Sequence, residues 1–408
     1  KDTLFQLGSV TKMFTALATM QLVERNMLSL DSTLVSALPS MAYPYWQNFS
    51  WEAITVEHLL SHQSGLHDDY DDAILAFSLL PAMRDHHGRH SLLMNPPGKF
   101  FNYSNPSFSY LGAIIEELTQ QSYADWMQAQ VFTPLDMASA TVEKDNVEAY
   151  GNFALGVVVE QGQPIAANQL TDISNYAAVT PSGGYTWSTA TDLLKMGSFL
   201  MEGNADVLES ALREQMMTDH VRLDKHSHYG FGLELADGFV LGNSWYDQTM
   251  WYHGGYTGAY RAAFVMLPEQ QIAIAILNSG PEEFERTLVE AVRAVAELPN
   301  PKPIPARDFS TANFGRHIGT YIDYANELTF EVDWVDEQLT LRIPEFDAIE
   351  QDYSETLEHL GDGIFAAQTS GNTFYFSFEA EEEEGDSIYM RSRESVGIRL
   401  GFEPWATP

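Results

Sequence analysis

Ser9 and Lys12 stand three residues apart at the start of SVTKMFTALATMQL, whose apolar residues recur at three- and four-residue intervals. On a helix that spacing puts the hydroxyl and the amine on one face, close enough for proton transfer. Among apolar neighbours an ammonium loses hydration and its pKa falls, so the neutral amine can take the serine proton. Ser9 also sits at the expected helix N-terminus, where free backbone N–H groups favour developing negative charge. Of the six lysines after the first, only Lys12 has a serine three positions before it.

Two further groups carry chemistry. In Tyr103-Ser104-Asn105 a phenol could relay a proton between nucleophile and leaving group, and a carboxamide could hydrogen-bond a substrate. Tyr150-Gly151-Asn152 and Tyr324-Ala325-Asn326 share that spacing. Context selects the first, because PGKFFNYSN is a turn-rich loop leading straight into the helical pattern SFSYLGAIIEEL. His253-Gly254-Gly255-Tyr256 lies at the edge of an expected strand. Its paired glycines let a substrate lie against the backbone, and the N–H of Tyr256 could join that of Ser9 in an oxyanion hole.

Other polar clusters read more plainly. His86, His87 and His90 have no carboxylate at a spacing that completes a metal site, so a polar loop accounts for them. The HDDYDD run from His67 to Asp72 lacks EF-hand spacing and reads as a solvated loop near the cleft. His62 in LLSHQSGL is expected to be satisfied inside the fold. Glu381 to Glu384 reads as a solvated hairpin tip. No metal and no cofactor is implied.

The elements that must position these groups follow from periodicity. Helices are expected from Ser9 to about Arg25, at about Thr55 to Ser61, Ser107 to Gln120, Tyr123 to Val131 and Ser188 to Glu202. From Tyr229 the runs YGFGLEL, GFVLG, GAYRAAFVML and QIAIAILN read as short strands, and Pro281 to Leu298 returns to helical spacing. This predicts an antiparallel sheet backed by helices over 1–298. Residues 299–308 hold four prolines and read as a linker. Beyond it, 309–408 alternates apolar and polar residues at strand length and reads as a small all-β barrel. The fold class is therefore α+β, in two domains, which suits 408 residues.

Composition bounds the partners. Lys plus Arg number 21 against 57 Asp plus Glu, a net charge of -36, so nucleic acid is excluded as a partner on electrostatic grounds. Without cysteine the chain has no disulfide, thiolate metal site or thiol nucleophile, and the redox compartment stays open. No run approaches the roughly 20 apolar residues of a membrane span. A periplasmic or secreted location is expected ahead of a cytoplasmic one.

S-x-x-K, Y-x-N and H-G-G in this order resemble the class C β-lactamase and D-alanyl-D-alanine carboxypeptidase superfamily, the CubicO group in particular. LFQLGSVTK, LLSHQSGL, PGKFFNYSN and PSGGYTWSTATDL agree with it, and the resemblance spans about residues 1–298. It implies a β-lactamase/transpeptidase-like fold, Ser9 as nucleophile, Lys12 and Tyr103 as the acid–base pair, and Asn105, His253 and Gly255 as substrate contacts. It also implies an oxyanion hole at the N–H groups of Ser9 and Tyr256. The C-terminal barrel is similar to the lipocalin-like appendage of some CubicO peptidases and would cap the cleft.

Two departures set expectations. The β-lactamases carry K-T-G where this chain has His253-Gly254-Gly255, so efficient cephalosporinase activity is not expected. Family members also have an N-terminal helix and two strands before S-x-x-K, where eight residues precede Ser9 here. Those strands would pair with Gln271 to Asn278, supplied by another chain, a homo-oligomer partner or a longer source protein. The expected substrates are short peptides, with D-residues included, and small esters, with β-lactams as slow acylating agents. The alternative from another class is a binding or sensor module without turnover.

Overall fold

The computed structural model describes residues 1–41, 43, 49–68, 92–160, 163–166, 181–280, 285–369, 373–382, 385–393 and 395–402. His86, His87, His90, Asp69 to Asp72 and Glu383 to Glu384 lie outside them, so the readings placed there are not addressed by it.

The molecule is built around helix α1, Thr11–Glu24, which carries no polar face: twelve of its 14 residues are buried. A helix apolar all round must sit in the middle of its domain, and α1 packs against α2, Asn105–Thr119, and against Ser210–Met216. Its few polar side chains are spent inside the core. Thr15 Oγ1 donates to Ser182 O at 2.5 Å, and Gln21 Nε2 donates to the Gln130 and Val207 carbonyls. The helix expected over Tyr123 to Val131 is α-helical only over Tyr123–Trp126 and widens into a π-helix over Met127–Phe132. Pro134 supplies no N–H to the Gln130 carbonyl, which Gln21 satisfies instead.

On one side of α1 stands a six-stranded antiparallel sheet of β1 (Val221–Arg222), β2 (Ser227–Tyr229), β3 (Glu234–Ala236), β4 (Met250–Tyr256), β5 (Arg261–Leu267) and β6 (Ile272–Asn278), in the order β6-β5-β4-β3-β2-β1. The run GFVLG does not join it. Phe239–Leu241 pairs with Ser244–Tyr246 as a separate hairpin. Helices α3 (Ala190–Glu202) and α4 (Glu285–Val295) pack on β6. Among the described residues β6 is an edge strand with every residue half-buried, so the sheet expected to continue there has no further strand.

The segment 299–308 has no helix or strand of its own, but it is pinned: Lys302 forms a bridge with Trp245 and an ion pair with Asp247. Beyond it eight antiparallel strands, β7 (Gly319–Asp323), β8 (Leu328–Val335), β9 (Gln338–Arg342), β10 (Glu358–Gly361), β11 (Ile364–Gln368), β12 (Thr373–Ala380), β13 (Ser387–Arg391) and β14 (Val396–Arg399), run in the order β9-β8-β7-β14-β13-β12-β11-β10. Leu341 N donates to Glu355 O and Leu357 N to Leu339 O, so β9 meets the segment entering β10 and nearly closes the barrel. Phe330, Leu341, Phe365 and Phe376 fill it as a core separate from that of α1.

The barrel docks on the loop that carries Tyr103. Met94 and Phe100 from that loop share an apolar cluster with Ile388, Tyr389, Val396 and Ile398, and Arg391 Nη1 donates to Phe101 O at 3.1 Å.

Candidate active site

Ser9 lies in a single 3₁₀ turn, Gly8–Val10, that runs into α1, which puts Lys12 one turn further on. Gly8 has a φ of +55°, and a Cβ there would stand 2.6 Å from the Tyr256 amide nitrogen. Only glycine meets both demands, a left-handed backbone and close approach to β4. A Cβ on Gly255 would overlap the Leu7 carbonyl. The H-G-G glycines thus press the strand against the turn that carries Ser9 and bring the Tyr256 N–H beside it.

Lys12 Nζ is fully buried and has three oxygen neighbours: Ser9 Oγ at 3.1 Å, Asn105 Oδ1 at 2.6 Å and Gly183 O at 2.8 Å. Burial pulls its pKa down to about 7, with nearby Asp68 opposing the fall and Arg393 adding to it. The lowered pKa makes the neutral amine accessible near neutral pH, and it stands within hydrogen-bond reach of the hydroxyl it would deprotonate.

Tyr103 precedes Ser104, the N-cap of α2, whose side chain accepts from Ser107 N. The Y-x-N motif is thus a helix start, with Tyr103 just outside the helix and Asn105 at its first position. The Tyr103 ring lies 4.9 Å from Lys12 Nζ and stacks on His62 at 4.2 Å between centroids. His62 Nδ1 accepts from Ser104 N, and its Nε2 has no hydrogen-bond partner among the described residues. The other two Y-x-N copies are elsewhere: Tyr150 is exposed and donates to Asp2 O, and Tyr324 is exposed beside β7 of the barrel.

Asn105 does more than face a substrate. Its carboxamide oxygen accepts from Lys12 while its backbone N–H donates to Asp68 Oδ1 at 2.7 Å and its Nδ2 lies 3.4 Å from Oδ2. Asp68 corrects the solvated-loop reading of HDDYDD, because it is buried and its pKa is raised by that burial. The sequence signal was present only as one acid among several, and nothing in its spacing marked it as Lys12's countercharge.

His253 is buried with both nitrogens engaged: Nδ1 lies 2.6 Å from Gly254 O and Nε2 3.0 Å from Tyr229 Oη. Burial, with the Lys12 charge, depresses its pKa to about 3, so the ring is neutral, donates from Nδ1 and accepts the phenol proton at Nε2. Its geometry is that of a brace for β4.

Ser9, Tyr103, Asn105, His253, Gly255 and Tyr256 border one cavity of about 960 Å³, and Lys12 lies behind it. A second part of the wall comes from the barrel, through Ile364, Tyr375, Phe376, Arg391 and Arg393. The Arg393 guanidinium sits 4.3 Å from the Tyr103 ring centroid. No motif in the sequence marked these residues. Among the described residues no group of three metal-binding side chains comes together.

The β-lactamase family model matches residues 1–297. The chain belongs to the β-lactamase family. Penicillin-binding protein 4* of Bacillus subtilis (strain 168) is 25% identical over 344 residues, covering 79% of this chain and 72% of that one. Protein flp of Staphylococcus aureus (strain NCTC 8325 / PS 47) is 25% identical over 290 residues and 71% of this chain, which spans only 55% of its length. The structure of SurE superposes with a TM-score of 0.72 at 22% identity, over 98% of this chain and 88% of that one, so the fold agreement extends through the barrel. The protein is a serine hydrolase of the β-lactamase fold with an eight-stranded C-terminal barrel.

Proposed function

We propose that the protein hydrolyses short peptides, D-residues included, or small esters through an acyl-enzyme on Ser9. The observation that carries this is the enclosed Lys12 amine, with its pKa near 7 and its nitrogen 3.1 Å from Ser9 Oγ. Neutral Lys12 takes the hydroxyl proton as Ser9 Oγ attacks the carbonyl carbon. The oxyanion is received by the N–H groups of Ser9 and Tyr256. The proton returns through Lys12 and Tyr103 to the leaving nitrogen or oxygen, and the C–N or C–O bond breaks. Water then attacks the ester carbonyl, gives its proton to the same pair, and releases the acid with Ser9 restored.

β-Lactams fit as slow acylating agents. Where β-lactamases carry Lys and Thr this chain has His253, neutral and engaged at both nitrogens, and Gly254, so neither offers a cation or a hydroxyl to a drug carboxylate. Intact-mass measurement after exposure to a fluorophosphonate and, separately, to penicillin tests the reading. A single adduct in the parent and none in Ser9→Ala is expected, with the penicillin adduct persisting for minutes or longer. A correctly folded parent that takes up neither reagent would move the assignment to a binding module without turnover.

A further inference from the structure

Within the cavity's lining, three arginines, Arg261, Arg391 and Arg393, are joined by a single acid, Glu234. No hydrogen bond or ion pair engages its carboxylate among the described residues, and it is half-buried with its free surface toward the cleft. In the sheet register Glu234 stands directly opposite Tyr229 on β2 and Tyr252 on β4. In-register partners of antiparallel strands project to the same face, with Cβ atoms about 5 Å apart. Tyr252 lines the cavity with the carboxylate, whereas Tyr229 is fully buried behind the wall with its hydroxyl on His253, and both phenols feel the carboxylate's charge. Tyr252 leans along β4 toward the reaction centre, since a Cβ on Gly254 would come within 2.5 Å of its hydroxyl. From Tyr252 to Tyr256, whose N–H faces the nucleophile turn, is four residues, or about 13 Å of strand.

A carboxylate beside one aromatic ring, in a pocket that admits solvent, can receive an alkylammonium by ion pairing and by cation–π attraction to that ring. We propose that Glu234, with Tyr252, is an ammonium subsite, and that the preferred acyl substrates carry a primary amine some distance from the scissile carbonyl. This rests on the Ser9 acyl-enzyme reading and names the substrate class for it. Enclosure lifts the Glu234 pKa to about 7 even with Arg393 opposing the rise, so the unliganded site holds a carboxyl poised to ionise when a cation arrives. The rival role is local, with Glu234 serving as countercharge to Arg393 and holding the barrel loop in place.

The test uses two matched ester sets, one with the ammonium or an isosteric methyl at the end of the acyl chain, the other with the same groups at the end of the leaving alcohol. Chain length is graded in each. In the parent, one set favours the ammonium member in kcat/KM by about tenfold or more. In Glu234→Gln that ratio falls toward one, whereas in Arg393→Ala it persists. Because the ratio is read within each variant, a general loss of activity cancels. Independently of turnover, hexylammonium raises the Tm of the parent more than hexanol does, and the difference vanishes in Glu234→Gln. This second readout separates failure of the subsite from failure of the reaction. Equal handling of ammonium and methyl esters together with no selective thermal shift, or a preference that survives Glu234→Gln, overturns the proposal. Parallel loss on all substrates in Glu234→Gln and Arg393→Ala with an unchanged ratio assigns Glu234 the rival role.

Discussion

The two walls of the cleft are made in different ways. The wall that carries the chemistry comes from local sequence: Ser9 and Lys12 share one helical turn, and Tyr103 and Asn105 bracket one N-cap. The other wall comes from a barrel some 260 or more residues further along, and its residues at the cleft, among them Tyr375, Arg391 and Arg393, form no motif. On the proposed mechanism, local geometry sets what the site does to a carbonyl, and long-range docking sets what it can hold.

Disabling the first wall has the largest expected effect. Ser9→Ala lowers ester hydrolysis by about 10⁴-fold or more, measured as kcat/KM on a nitrophenyl ester. Lys12→Met falls by about 10³-fold or more on the same substrate, since Lys12 is the amine that stands within hydrogen-bond reach of Ser9 among the described residues. Loosening the second wall acts on selectivity. Phe100→Ala removes a buried ring from the cluster shared with Tyr389, costing about 3 kcal/mol of stability in denaturant melts. It also brings small and bulky esters closer in kcat/KM, because a barrel that docks less firmly excludes less. Equal size selectivity in parent and Phe100→Ala would break the comparison.

The smallest effects sharpen it. Asp68 raises the Lys12 pKa, so Asp68→Asn shifts the acid limb of the kcat/KM profile to lower pH, read by pH titration of ester hydrolysis. Stability changes in the direction set by linkage. An amine with a folded pKa of about 7 against an unfolded value near 10.5 binds fewer protons when folded, so its burial penalty is largest below about pH 7 and fades as pH rises toward 10. Lys12→Met therefore melts higher than the parent at pH 7, and the gap narrows by pH 9.

Legibility in the sequence follows the same division. The helix around Lys12, the Y-x-N loop and the H-G-G strand show in spacing because each is a contiguous device: a helical turn, a cap, a glycine pair against a backbone. The barrel's alternating strands show for a similar reason, one face in and one out. Asp68 does not show, because its role depends on a hydrogen bond across 37 residues to Asn105, and a run of acids reads the same whether solvated or buried. Glu234 hides inside YGFGLEL as an ordinary strand polar residue; only the register with Tyr229 and Tyr252 gives it a setting. His253 was legible as a position and not as a role, since its two partners lie on its own strand and on β2.

The rate of Ser9 acylation in a single turnover, followed from pH 5 to 9 by burst or by mass, tests the central claim most directly. Lys12 acting as the base requires a rate that climbs about tenfold per pH unit on the acid side and levels off above about 7. A rate independent of pH across that range, or one that persists in Lys12→Met, would contradict it.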